Sequence, residues 1–188
     1  MTKILMILTV LSSFLTNLET KTMQSDFTVK VMDKSGAPLN YVGGLTMQGD
    51  QFVLDMVDLR AAYDGKTMYL YSPQTDELTL TYPTEEELKQ NNPFLFAKAL
   101  VPVCEVKEIL SEDGQKAQII MVPKDQSIGI KRFKLKLNAV DLLPIEIEIL
   151  EENHKSTALK FTNPKYLTKQ QEFILRPEES TYVNDLRL

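Results

Sequence analysis

One histidine, His154, and one cysteine, Cys104, occur in this 188-residue chain, so nucleophilic and metal chemistry have few places to sit. His154 lies in Glu151-Glu-Asn-His-Lys-Ser156, a polar stretch with the composition of a hairpin turn, and reads as a solvated turn residue. A Ser–His–Asp hydrolase would be expected to carry a G-x-S-x-G elbow, and none is present. H-E-x-x-H, P-loop and G-x-G-x-x-G patterns are missing as well. A lone thiol forms neither an internal disulfide nor a cysteine metal cluster; within Val101-Pro-Val-Cys-Glu-Val106 it reads as a buried strand residue. Asp76, Glu77 and Glu85 to Glu87 gather carboxylates without EF-hand spacing and read as turn and helix-start charges. These residues predict no enzyme, no cofactor and no bound metal.

The basic run Lys131, Arg132, Lys134 and Lys136 is interleaved with Ile130, Phe133, Leu135 and Leu137, the pattern of a strand with one wet face. With a net charge of −5, the chain lacks the clustered positive surface that nucleic acid requires. Hydrophobic residues at 43% and charged residues at 25% describe an ordinary globular protein, expected as one domain over residues 1–188. Avoidance of cysteine fits the cytosol or the periplasm equally.

Most of the chain alternates with a period of two, broken by short turns. Asp26 to Met32, Leu39 to Met47, Gln51 to Met56, Leu59 to Tyr63, Lys66 to Ser72 and Glu77 to Tyr82 read as strands. Cys104 to Leu110, Lys116 to Pro123, Ile130 to Asn138, Leu143 to Glu151 and Ser156 to Asn163 follow, with a last piece at Glu172 to Leu175. Asp64-Gly65 signals a two-residue hairpin, and Gly43-Gly44 a bulge or sharp coil where the sheet curls. Between the two sets of strands, Thr84 before Glu85-Glu-Glu87 predicts a capped helix start. Pro93 opens a second helix, Phe94 to Leu100, apolar nearly all round. So long an antiparallel meander is expected to curl rather than stay flat.

Residues 1–20 carry two readings. Met1-Thr-Lys followed by Ile4 to Leu11 resembles a signal peptide, although no small-x-small cleavage site follows. Leu8, Leu11, Leu15 and Leu18 recur at the spacing of one face of an amphipathic helix, the reading favoured here.

The stretch Tyr63-Asp-Gly-Lys-Thr-Met-Tyr-Leu-Tyr-Ser-Pro73, then Glu77-Leu-Thr-Leu-Thr81, then Asn92-Pro-Phe-Leu-Phe96, resembles the LolA-type lipoprotein carriers. An amphipathic helix leading into Ser25-Asp-Phe27, and the close Phe173-Ile-Leu-Arg-Pro177 with Val183-Asn-Asp185, extend the resemblance along almost the whole chain. It implies a mainly β (α+β) fold: an antiparallel, incomplete half-barrel of about eleven strands, with an N-terminal helix and a central helical lid. It also implies a periplasmic chaperone without a cofactor. Acylated lipoproteins or lipids would be received from an inner-membrane lipoprotein-releasing ABC transporter and passed to an outer-membrane acceptor. The family's arginine after the second strand is replaced by Gln48-Gly49. A sensor of envelope stress, or another protein-binding module on the same fold, is the alternative.

On that frame Leu45, Met47, Phe52, Leu54 and Met56 can share one apolar face, with Leu78 and Leu80 joining from the next hairpin. Methionine suits such a lining because its flexible thioether adapts to irregular ligands. Leu88, Phe94, Leu95 and Phe96, with Leu8, Leu11 and Leu15, are expected on the underside of the lid. Each residue taken singly also fits an ordinary core position. As a set they are expected to hold acyl chains.

Overall fold

The computed structural model describes residues 2–32, 38–169 and 171–187, and the side chains of these except 2–9 and 126. The chain opens with α1 (Thr2–Thr20) and then lays down β1 (Met23–Met32), β2 (Leu39–Gln48), β3 (Gln51–Met56), β4 (Arg60–Tyr63), β5 (Met68–Ser72) and β6 (Glu77–Thr81). Two helices interrupt the sheet, α2 (Glu85–Asn91) and α3 (Pro93–Leu100). The chain then returns through β7 (Cys104–Leu110), β8 (Lys116–Pro123), β9 (Ile130–Asn138), β10 (Pro144–Glu151) and β11 (Ser156–Tyr166), and ends in β12 (Tyr182–Asp185).

All the strands form one 12-stranded sheet in the order β12-β6-β5-β4-β3-β2-β1-β11-β10-β9-β8-β7. Two antiparallel meanders, β1 to β6 and β7 to β11, are therefore joined along a seam where β1 pairs with β11. The outermost strands do not pair with each other, which leaves the half-barrel open. The register of the seam slips at Ser25, whose hydroxyl donates to the Thr162 carbonyl at 3.0 Å, while Asn163 takes a left-handed φ of 53°.

Gly43-Gly44 makes no bulge, contrary to expectation. β2 keeps unbroken register with β1 and β3 through both glycines. The reason for Gly43 is crowding: a Cβ there would lie 2.5 Å from the Asp55 carbonyl oxygen and 2.8 Å from the Phe27 ring. Asp64-Gly65 also differs. The connection runs from Asp64 to Thr67, and the Asp64 carboxylate accepts from the N–H groups of Lys66 (2.8 Å) and Thr67 (2.7 Å) and from the Tyr69 hydroxyl (2.9 Å). Burial pushes that carboxyl up, but the three donors outweigh it and hold it below its ordinary range.

The last strand lies later than the sequence suggests. Glu172 to Leu175 joins no strand ladder, and it buries Phe173, 6% exposed, against the molecule as a strap. Val183 and its neighbours form β12, parallel to β6, with the Thr181 hydroxyl donating to Asp76 at 2.9 Å. An antiparallel sheet thus gains one parallel edge, and its strand count rises from about eleven to twelve.

The convex face carries the basic run. Lys134 meets Glu148 at 2.6 Å, and Lys136 bridges Glu146 and Glu148. Each lysine lies opposite its acid on the neighbouring strand, which satisfies the charges locally.

Candidate functional site

Antiparallel register places residues of every second position on the concave face. Phe52, Leu54 and Met56 of β3 lie opposite Met47, Leu45 and Gly43 of β2. Phe27 and Val29 of β1 lie opposite Phe161 and Leu159 of β11, and Ile147 and Ile149 of β10 come next. At one end of these strands the inner face is sealed. Leu11, Phe14 and Leu18 of α1 join Phe94, Ala97 and Leu100 of α3 in a single core with Met23, Met47, Phe133, Leu135 and Leu137. Phe94 is held between the rings of Phe14, at 5.7 Å, and Phe161, at 5.5 Å.

Toward the other end the face opens into a trough of about 710 Å³. Its floor includes Phe27, Val29, Leu45, Phe52, Leu54, Met56, Ile147, Ile149, Thr157 and Leu159. Asn92, Pro93 and Phe96 roof it, and Ile128 to Ile130 form one side. Volume and lining fall within the range of ligand pockets. The rim carries Glu86 and Lys89 from α2, and Glu151 and Lys155 from the β10–β11 turn.

The roof is set by local chemistry. Thr84 and Glu87 form a reciprocal capping box at the start of α2. Asn92 serves both helices. Its N–H donates to the Leu88 carbonyl at 2.9 Å, and its Oδ1 accepts from the N–H groups of Phe94 (3.0 Å) and Leu95 (3.3 Å). Pro93 occupies the first turn of α3, where its missing N–H costs nothing. Phe96 leans on Phe133, ring centres 6.1 Å apart. At the far end of α1 the Gly49 N–H donates to the Leu18 carbonyl at 2.6 Å, and Thr22 donates to Gln48 at 2.8 Å. Gln48-Gly49 thus binds the end of α1 to the sheet.

Of the residues expected to line the site, Leu45, Phe52, Leu54, Met56 and Phe96 border the trough. Met47 shares their face but is 1% exposed within the sealed core. Leu78 and Leu80 require correction. Tyr63 lies opposite Met68 and Met68 opposite Thr81, so Thr79 and Thr81 face inward and the two leucines face outward. Leu78 there borders a groove shared with Ile174 and Leu175 of the strap. Leu11 and Phe94 are core residues rather than an exposed lid underside, with Leu15 and Leu88 half-buried against them. Leu95 is half-buried, and the side chain of Leu8 lies outside those described. The sequence reading missed Phe27, Val29, Ile147, Ile149, Leu159 and Asn92. For the five apolar residues, strand alternation was the available signal.

One carboxyl also sits on the inner face. Glu108 of β7 lies opposite Ile119, its Oε2 has no partner among the described residues, and burial pushes it up to about 7. His154 is exposed in the β10–β11 turn with a left-handed φ of 68°. Cys104 is buried, which raises its thiol pKa. No group of three or more metal-ligating side chains occurs among the described residues. No described helix is long and apolar enough to cross a membrane.

The geometry is that of an open half-barrel whose concave face is part core, part roofed apolar trough. Its overall shape matches an uncharacterized conserved protein from Thermus thermophilus, with a TM-score of 0.61 over 93% of this chain and 96% of that one, at 11% identity. It also matches the Pseudomonas aeruginosa MucA/MucB complex structure, at a TM-score of 0.51 and 14% identity, over 87% of this chain and 58% of that chain. Among the similar structures is a LolA superfamily protein, NE2245 from Nitrosomonas europaea, with a TM-score of 0.44 and 9% identity, over 87% of this chain and 94% of that one. No family model and no curated protein matches the sequence.

Proposed function

We propose that this protein is a periplasmic carrier that shelters the acyl chains of lipoproteins or lipids in its trough. Cargo would come from an inner-membrane lipoprotein-releasing ABC transporter and leave to an outer-membrane acceptor, the carrier acting as a monomer without covalent chemistry. The trough of about 710 Å³ carries this reading. An acyl chain in water costs about 0.8 kcal/mol per methylene, so a long chain needs an apolar hollow to travel. A hollow open along one side admits and releases a chain without unfolding. The resemblance to LolA-type carriers supports the same reading. Mass spectrometry of protein purified from membranes tests it: co-purifying lipid or acylated peptide is expected, and ligand-free protein that also refuses added fatty-acyl probe would overturn it.

A second reading, a protein-binding sensor, has one observation of its own. Leu39 to Val42 pair with β1 on one side, whereas β3 reaches only to Gly43, so four exposed residues of β2 present an open backbone edge. The structure of MucA with MucB is of a complex between two proteins. Capture of a folded partner by lipid-free protein would favour this reading.

A further inference from the structure

We infer that the end of β1 and the start of β2 form a lip that seats in the surface of a lipid bilayer, with the trough opening beside it. This rests on the acyl-carrier reading and adds the surface at which cargo is exchanged. Met32, Leu39, Tyr41 and Val42 are between 43% and 58% exposed. Tyr41 lies opposite Val29, in the floor of the trough, and Leu39 lies opposite Val31, so the inner face continues from the trough as hydrocarbon. Met32 and Val42 are on the outer face, to either side of Asn40 and its neighbour Lys30. Open strand edges are commonly guarded by charge. β7, at a margin of the sheet, carries Glu105, Lys107 and the inward Glu108, whereas the open stretch Leu39 to Val42 contains no charged residue.

The occupant follows from what has to be covered. Apolar side chains stand on both faces of the sheet here, with an open backbone edge between them. An added strand would pair with four residues and leave the faces bare. A second copy docked through the same four residues falls far short of the roughly 20–30 residues a side of a stable interface. A bilayer surface surrounds all three: acyl chains meet the side chains, while headgroups and water meet the backbone. Those backbone groups find no partner in hydrocarbon, so the lip stops at the boundary between headgroups and chains. Tyrosine suits that depth, and the long stem of Lys30 lets its ammonium reach the headgroups. With a net charge of −5, the chain as a whole is not drawn to anionic lipid, so apolar contact carries the binding.

The chain has no tryptophan, so Tyr41→Trp introduces a single reporter. With phosphatidylcholine vesicles its emission is expected to shift to the blue and to be quenched by lipid brominated on the acyl chains. The same reporter in Ile109→Trp, on exposed β7, should not shift. The unaltered chain should sediment with these vesicles at low and high salt. Leu39→Asp combined with Val42→Asp should lower that partition at least tenfold, yet take up a soluble fatty-acyl probe without vesicles as the wild type does. An unshifted reporter, binding that the double substitution leaves intact, or binding confined to anionic vesicles and abolished by salt overturns the lip. A blue shift that grows with protein concentration in the absence of lipid gives the edge to a second copy and overturns it too. Vesicle binding by a wild type that refuses the soluble probe would instead overturn the acyl-carrier reading alone.

Discussion

The two ends of the concave face are built from the same strands and do opposite things. Along β3 the inner residues run from Phe52, fully buried, to Leu54 and Met56, half open. Along β10 they run from Ile147 to Ile149, and along β2 from Met47 through Leu45 to exposed Tyr41 and Leu39. At the sealed end α1 and α3 lay Phe14, Leu18 and Phe94 onto the sheet; at the open end only the start of α3, at Asn92, Pro93 and Phe96, overhangs it, and space is left beneath. Sequence composition is alike at both ends. Coverage by helices, not hydrophobicity, separates core from site.

Substitutions at the two ends should therefore divide into losses of stability and losses of binding. Phe14→Ala, at a fully buried ring, is expected to cost about 3–5 kcal/mol by denaturant unfolding. A cost below about 1 kcal/mol would mean that α1 is not part of the core. Gly43→Ala forces a methyl against the Asp55 carbonyl and Phe27, and should cost about 1–3 kcal/mol in the same assay.

Glu108 links stability to pH. Its carboxyl holds a proton more tightly in the fold, at about 7, than at its ordinary value of 4.5. Between these values the folded state binds more protons than the unfolded one, so stability falls as pH rises through this window and stays lower above it. Glu108→Gln should match the wild type near pH 4 and exceed it at pH 8, by about 2 kcal/mol once solvent screening of the partly exposed carboxylate is allowed for. Equal midpoints at pH 8 would place the carboxylate in water.

Leu54→Lys, at the open end, should lower stability by less than about 2 kcal/mol. It should nevertheless reduce uptake of a fluorescent fatty-acyl probe at least tenfold, and unchanged uptake would remove Leu54 from the site. His154→Gly respects the left-handed backbone there and should alter neither stability nor uptake measurably.

The strands were legible in the sequence because a period of two with turn residues between is a local signal. Thr84 with Glu87, and Asn92 with Pro93, announced the roof helices for the same reason. The facing of β6 was not legible. Leu78 and Leu80 alternate as cleanly as Leu45 and Met47, but the strap that covers them comes from Phe173 to Leu175, about a hundred residues later. β12 was placed too early because four residues in parallel pairing leave no hairpin turn to read. The sequence showed that Leu45, Phe52, Leu54 and Met56 share an apolar face, but not that Phe27, Val29, Ile147, Ile149 and Leu159 complete it. Which of them α1 would cover depends on packing.

The seam between β1 and β11 has a kinetic consequence. It joins Met23 to Tyr166, so each meander can assemble from neighbouring segments, but the two can close on each other only after most of the chain has been synthesised. The hollow has Phe27, Leu45 and Leu54 on one side of that join and Ile147, Ile149 and Leu159 on the other, so neither half forms it alone. An occupant that touches both sides fastens the join, slows its opening and raises the melting temperature as ligand concentration grows.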